Sequence, residues 1–314
     1  MLKQIILLSI NILILSNIQA AELFVSNNGT GSDCSVIMPC KSIQTAVDNA
    51  QADDTIRIGE GKYFENITIP VAKNGLHILG QGREETFVIS AGGDALLKEA
   101  PPGVPIDVVF DVFSSNVIIE KLAIRHPSGI ASKRDLGIFI RPPAINVSIR
   151  KTSIERHRIG DILEPTNPGS RGVFVLRATG TNITKNKLGG NYEDHIHIPS
   201  SATTIDRNTI TNATRAGIVI IQESATSLST ENLITRNTVI NSGSDGIQIQ
   251  GDDNIIVKNK IKNSGNVAIK LCGAGDCIAP GVAAIASNNI VLKNKFKNNK
   301  VANIQDNGTN NTIN

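Results

Sequence analysis

Gly246-Ile-Gln-Ile-Gln-Gly-Asp-Asp-Asn-Ile-Ile-Val-Lys-Asn-Lys-Ile261 is the stretch whose reading decides the fold. It holds two short alternating apolar runs with a polar turn between them, then a Lys-Asn pair shortly before the last Ile. An aliphatic residue, a residue three positions on and an apolar residue five positions on recur seven times. The copies are Ile119/Leu122/Ile124, Ile149/Thr152/Ile154, Ile183/Asn186/Leu188, Ile205/Asn208/Ile210, Ile234/Asn237/Val239, Ile256/Asn259/Ile261 and Val291/Asn294/Phe296. Their middle positions lie 30, 34, 22, 29, 22 and 35 residues apart, a base period of 22 with insertions of 7 to 13. Such a unit cannot bury its own apolar face, and stacked copies can. Period-2 alternation marks the runs as strands.

A second column fixes the register. Ile138, Val173, Ile196, Ile218, Ile247 and Ile269, with Ile140, Val175, Ile198, Ile220, Ile249 and Leu271 two residues later, are all aliphatic. All but Leu271 are β-branched, which suits the inside of a pleated sheet.

These runs, with Asn186, Asn208, Asn237, Asn259 and Asn294 at one turn position, resemble the right-handed parallel β-helix repeats of the pectate-lyase-like superfamily. The resemblance covers about residues 22–314. It implies an all-β solenoid of three strands per coil, with an Asn ladder at the tight turn between the second and third strands. Asn tolerates a left-handed backbone and can bond to its neighbours there. Leu122 and Thr152 depart from the ladder. A fold alone does not fix the chemistry.

Residues 1–20 have the form of a secretory signal peptide: Lys3, an apolar run from Ile5 to Leu15, and a polar end closing on Ala20. The run is too short to span a bilayer, and no later segment could cross one. The reading is an exported protein, whether secreted, periplasmic or on the cell surface, with one domain over 21–314. Cys34 and Cys40 are six positions apart, and Cys272 and Cys277 five, which suggests two local disulfides at opposite ends of the solenoid. Within a cap of about 22–69, Ser42 is the expected N-cap of a short helix through Ala50. In the superfamily such a helix covers the first coil, where an open end would expose strand edges. Residues 91–105 are a loop by composition, and regular coils run over about 107–314. No helical cap is readable at Asn314, so association through that last coil is an expectation.

Two features could carry function. In Asn191-Tyr-Glu-Asp-His-Ile-His-Ile198, His195 and His197 are two residues apart on one expected strand, which puts both on one outward face. His197 falls in an outward column with Phe139, Phe174, Val219, Gln248 and Lys270. The resemblance implies attack on a uronic-acid polymer by a lyase or C5-epimerase. That needs a base, and a cation or basic side chain to hold the developing charge. Asp194-His-Ile-His197 is loosely similar to the Asp-Pro-His-Asp motif of mannuronan C5-epimerases. It lacks the Pro and the second Asp, and its first His is shifted. Asp194, His195 and His197 are therefore the catalytic candidates, with Gln248 and Lys270 on substrate. A Ca²⁺ ion is a cofactor such an enzyme could use, with Asp161, Glu164, Glu193 and Asp194 as available carboxylates.

The second feature is a charge column. The residue before each ladder position is Lys121, Lys151, Lys185, Arg207, Arg236, Lys258 or Lys293, with Lys187, Lys260 and Lys295 nearby. An acidic polysaccharide fits such a stripe, and Arg207, Arg236 and Lys258 are its candidate contacts. The bland reading is a solubilising edge that discourages sheet aggregation. Nucleic acid is disfavoured, since only 3% of residues are aromatic and Trp is absent. Two functions of different class follow: an enzyme on acidic polysaccharide, or a non-catalytic, adhesin-like glycan binder.

Overall fold

The computed structural model describes residues 20–92, 105–127, 134–156, 169–222, 229–277 and 285–314, with the backbone of 95–96. Residues 1–19 of the expected signal peptide, and Asp161 and Glu164, lie outside the described residues. Three parallel sheets of 11, 9 and 10 strands wind into the right-handed β-helix that the repeat implies. Each complete coil gives one strand to each sheet; Ala95–Leu96 is an additional, antiparallel strand of the 10-stranded one. In the stretch that opened the reading, Ile247–Gln250 belongs to the 10-stranded sheet, Ile255–Val257 to the 11-stranded sheet, and Lys260–Lys262 to the 9-stranded sheet.

The aliphatic columns are the core. Ile138, Val173, Ile196, Ile218, Ile247 and Ile269 pair coil on coil in register, and all are fully buried. One side chain per coil in each column makes the core a set of stacks, which is why few aromatics are needed. The helix spans Ile43–Asn49, with Ser42 Oγ accepting from the Thr45 N–H. Glu65 strengthens this cap: its carboxylate accepts from Ser42 Oγ and from the Ile43 and Gln44 N–H groups at 2.7–3.0 Å. Both disulfides, Cys34–Cys40 and Cys272–Cys277, are formed. In the expected loop over 91–105, Ala95–Leu96 pairs antiparallel with Pro105 and Ile106. No described helix is long and apolar enough to cross a membrane.

The Asn ladder stands at the turn where the resemblance implies it, and only its left-handed residue differs from expectation. Asn186, Asn208, Asn237 and Asn259 are buried, and each passes its N–H to the next Asn Oδ1 at 2.8–2.9 Å. Each Nδ2 also donates to a carbonyl of the previous coil, as Asn237 does to Ile205 O at 2.8 Å. The left-handed residue is not the Asn but the basic residue before it: φ lies between 53° and 60° at all seven Lys and Arg positions from Lys121 to Lys293. A second ladder, Asn232–Asn254–Asn289–Asn311, lines the opposite edge of the 11-stranded sheet and passed unnoticed in the sequence.

Candidate functional site

The outward column of the 10-stranded sheet keeps its expected register: Phe139, Phe174, His197, Val219, Gln248 and Lys270 pair in turn. It is covered rather than open. Phe139, Phe174, His197, Val219 and Gln248 are all buried. The two Phe rings stack at 4.9 Å, with the Arg141 and Arg171 guanidiniums 4.8 and 4.2 Å from the Phe139 and Phe174 centroids. Lys270 Nζ is tied to Asp276 O at 3.0 Å and Asp276 Oδ1 at 3.4 Å. That ion pair anchors the Cys272–Cys277 loop.

His195 does not share this face, which corrects the expectation that both imidazoles project outward together. Its column is otherwise Gly137, Gly172, Gly217, Gly246 and Ala268. A Cβ added at Gly217 or Gly246 would meet the core side chains of Val239 or Ile261 at 2.4 Å. The column therefore points into the coil. His195 is fully buried, its Nε2 lies 2.9 Å from Thr211 O, and its ring packs edge-on against Tyr192. Burial pulls its pKa down to about 4, so it is neutral at physiological pH.

Asp194 and His197 do meet. Asp194 Oδ2 lies 2.9 Å from His197 Nδ1, and it also bonds Arg215. Glu193 pairs with the same guanidinium at 2.7 Å. Asp194 is fully buried, and desolvation raises its pKa against the pull of Arg215 and Arg171. One coil group earlier, Asp107, His126 and Asp135 bring three donor atoms within 4.8 Å of one another. They too are already bonded. His126 Nδ1 is 2.9 Å from Tyr192 Oη and its Nε2 3.2 Å from Asp107 O. Asp107 accepts from Ser90 and Asn66, and Asp135 from Arg156 at 2.6 Å. This corner is a buried polar network in which Asp107, His126, Asp135, Asp194 and His197 each meet protein partners, and burial lowers the pKa of His126 and His195. His126 could have been suspected only as one of three isolated His. Nothing in sequence spacing links it to Asp135.

The basic corner is the opposite case. Lys121, Lys151, Lys185, Arg207, Arg236, Lys258 and Lys293 are exposed, one per coil, at a rise of about 4.8 Å. Arg236, Lys258, Lys260, Lys293 and Lys295 line one shallow concavity, which holds no acidic residue. Arg83, Lys121, Lys151, Lys185 and Lys187 line another, with Glu84. Asp206 offsets part of the charge between them, at 2.9 Å from Arg207 and 2.7 Å from Arg236.

The molecule supplies its own control. The other edge of the 11-stranded sheet needs the same left-handed residue at each turn. There it is Asp53, Gly75, Asn116, Asn146, Gly180, Ala202, Glu231, Asp253, Asn288 and Asn310. None is basic. At the third corner Gly190, Asn212, Asn241, Asn263 and Asn298 serve. Left-handed backbone favours Gly, Asn and Asp. Lys and Arg at every one of seven turns is not what this geometry selects.

Many solved structures share the architecture, at identities that speak for fold alone. An alginate lyase from Paenibacillus sp. aligns with TM-score 0.55 and 11% identity over 92% of this chain and 99% of its own. A pectin methylesterase from carrot gives 0.53 and 11%, over 92% and 87%. A lacto-N-biosidase from Eubacterium ramulus gives 0.59 and 11%, over 93% and 67%. No curated protein sequence matches the chain. Residues 115–314, more than half of the chain, match the family model described as periplasmic copper-binding protein (NosD), and the chain therefore belongs to the NosD family.

Proposed function

We propose that this exported, periplasmic chain binds an acidic polysaccharide along its basic corner, and that binding rather than catalysis is its primary role. One observation carries the reading: the left-handed position that takes Asn, Gly, Asp, Glu or Ala where strands enter the 11-stranded sheet takes Lys or Arg where they leave it in all seven repeats. Like charges stacked one coil apart repel, and a polyanion laid along the axis would offset that. The likeness to alginate- and pectin-acting structures adds a scaffold on which such polymers are handled. The test is retention on an immobilised acidic polysaccharide, wild type against the Arg207→Gln, Arg236→Gln, Lys258→Gln triple variant. Early elution of the triple variant is expected, and equal retention would sink the proposal.

Uronate proton abstraction at Asp194 and His197 is the second reading, favoured by their 2.9 Å contact. The carboxylate holds the imidazole in one tautomer, as in catalytic dyads. Against it stands the burial of both groups. Incubation with alginate or pectate decides it: ultraviolet absorbance from a new double bond, or solvent-proton exchange at C5, lost in His197→Ala, is required. Retained activity in that variant excludes the site.

Copper is what the family's description names, and among the described residues the donors do not fit it. Soft sulfur ligands suit Cu(I), yet the four cysteines are in disulfides and Met38 stands alone on the surface. At Asp107, His126 and Asp135 both ring nitrogens are engaged, and a cation there would sit against the Arg156 guanidinium.

A further inference from the structure

The outer face of the 11-stranded sheet carries a feature that a polyanion does not explain. Strands Leu233–Thr235, Ile255–Val257 and Ile290–Leu292 bury their middle residues and leave the flanking ones half-buried or exposed, save Thr235, which is buried. Register stacks Leu233, Ile255 and Ile290 in one outward column, and Thr235, Val257 and Leu292 in the next. Ile255 and Ile290 are 39% and 36% exposed, and the other three aliphatics are half-buried. Coils about 4.8 Å apart and columns two residues, about 6.6 Å, apart make five aliphatic side chains one flat, continuous block. Such a block on a soluble surface marks an interaction site.

Its borders differ in charge. Glu231, Asp253 and Asn288 stand on the edge where the strands enter; Arg236, Lys258 and Lys293 stand where they leave. We propose that this face pairs with the same face of a second copy, around a two-fold axis parallel to the coil axis. That axis reverses strand direction and keeps coil level. The aliphatic block then meets its equivalent, Glu231 faces Arg236 of the second copy, and Asp253 faces its Lys258. A two-fold axis along the strands would set cation on cation. An anionic membrane is a poorer occupant, because the acidic border would be pressed onto the same surface.

A standard interface buries about 800 Å² per partner. Five aliphatics fill only the centre of that, so the contact extends over the polar rows at Thr204 and Thr312. Association is therefore concentration-dependent. The proposal does not rest on glycan binding.

Sedimentation equilibrium of the purified chain tests it. Wild type self-associates to a dimer. Ile255→Asp, which places a charge in the centre, weakens association by about tenfold or more, and circular dichroism checks its fold. Asp253→Lys weakens it, and adding Lys258→Asp restores it toward wild type. Should a variant misfold, wild-type hydrogen exchange serves instead, with protection in Leu233–Thr235 and Ile255–Val257 rising with concentration. Wild type that stays monomeric at every concentration overturns the proposal. So does association that Ile255→Asp leaves unchanged, or loss in Asp253→Lys that the double variant does not recover.

Discussion

Two edges of one sheet share a backbone and differ in chemistry. Along both edges of the 11-stranded sheet the chain turns through a left-handed residue, then buries a ladder residue that bonds its neighbours above and below. On one edge the left-handed residue is Asn, Gly, Asp, Ala or Glu; on the other it is Lys or Arg. The fold therefore demands the conformation and leaves the charge free. What the fold leaves free is where function can be read, and the basic edge carries the proposed polyanion site. The buried corner of Asp107, His126, Asp194 and His197 teaches the complement. Titratable residues gather there, but each meets protein partners.

The comparison breaks first if the two edges do not hang on a common stack. Ile247→Asp buries a charge among fully buried Ile residues of neighbouring coils. It should cost about 4 kcal/mol or more in a denaturant titration. A loss below about 1 kcal/mol would mean that the column is not the core.

Next come the ladders. Asn237→Ala strands the Asn208 N–H and Nδ2 that bond Asn237 Oδ1 at 2.9 Å, and frees Ile205 O. Leaving such buried groups unsatisfied should cost about 3 kcal/mol. Asn254→Ala, in the second ladder, should cost as much, since Asn254 makes the same bonds. Unequal losses would show that the edges are not structural equivalents.

The buried corner sets a pH dependence. His195 is held neutral with a pKa of about 4, below the unfolded value of about 6.5. The unfolded chain then binds more protons between these values, so stability falls as pH drops from about 6.5 toward 4. His126, also lowered by burial, adds in the same direction. Asp194, raised, works the other way, its stability contribution falling as pH rises through its folded value. The net expectation is a loss of about 2 kcal/mol from pH 6.5 to 4.5, with a shallower slope in His195→Asn. An unchanged slope would remove His195 as its source.

How much of this was legible follows from periodicity. The aliphatic columns repeat coil by coil, so Ile218 and Ile247 could be placed from spacing, as could the row of Lys and Arg. The direction of His195 could not. It occupies a column otherwise filled by Gly and Ala, and a column without side chains does not announce which way it points. The second ladder was missed because its early positions are Val117, Val147, Thr181 and Thr203, so no Asn run shows before Asn232. The Asp107–His126–Asp135 group joins residues from different strands and leaves no local spacing to detect.

The smallest stability effect belongs to the basic edge. Lys258→Gln should change stability by less than about 0.5 kcal/mol, because an exposed left-handed residue keeps its backbone whatever its charge. A larger loss would assign the cations a structural purpose and weaken the functional reading.

The most direct test of the central claim is calorimetric titration of the protein with an oligouronate over a range of salt concentrations. Affinity should fall steeply as salt rises, since exposed charges are screened. The Arg207→Gln, Arg236→Gln, Lys258→Gln variant should bind more weakly and with a shallower salt dependence, while its unfolding midpoint stays near that of wild type. Binding of equal strength and equal salt dependence in both proteins would contradict the account.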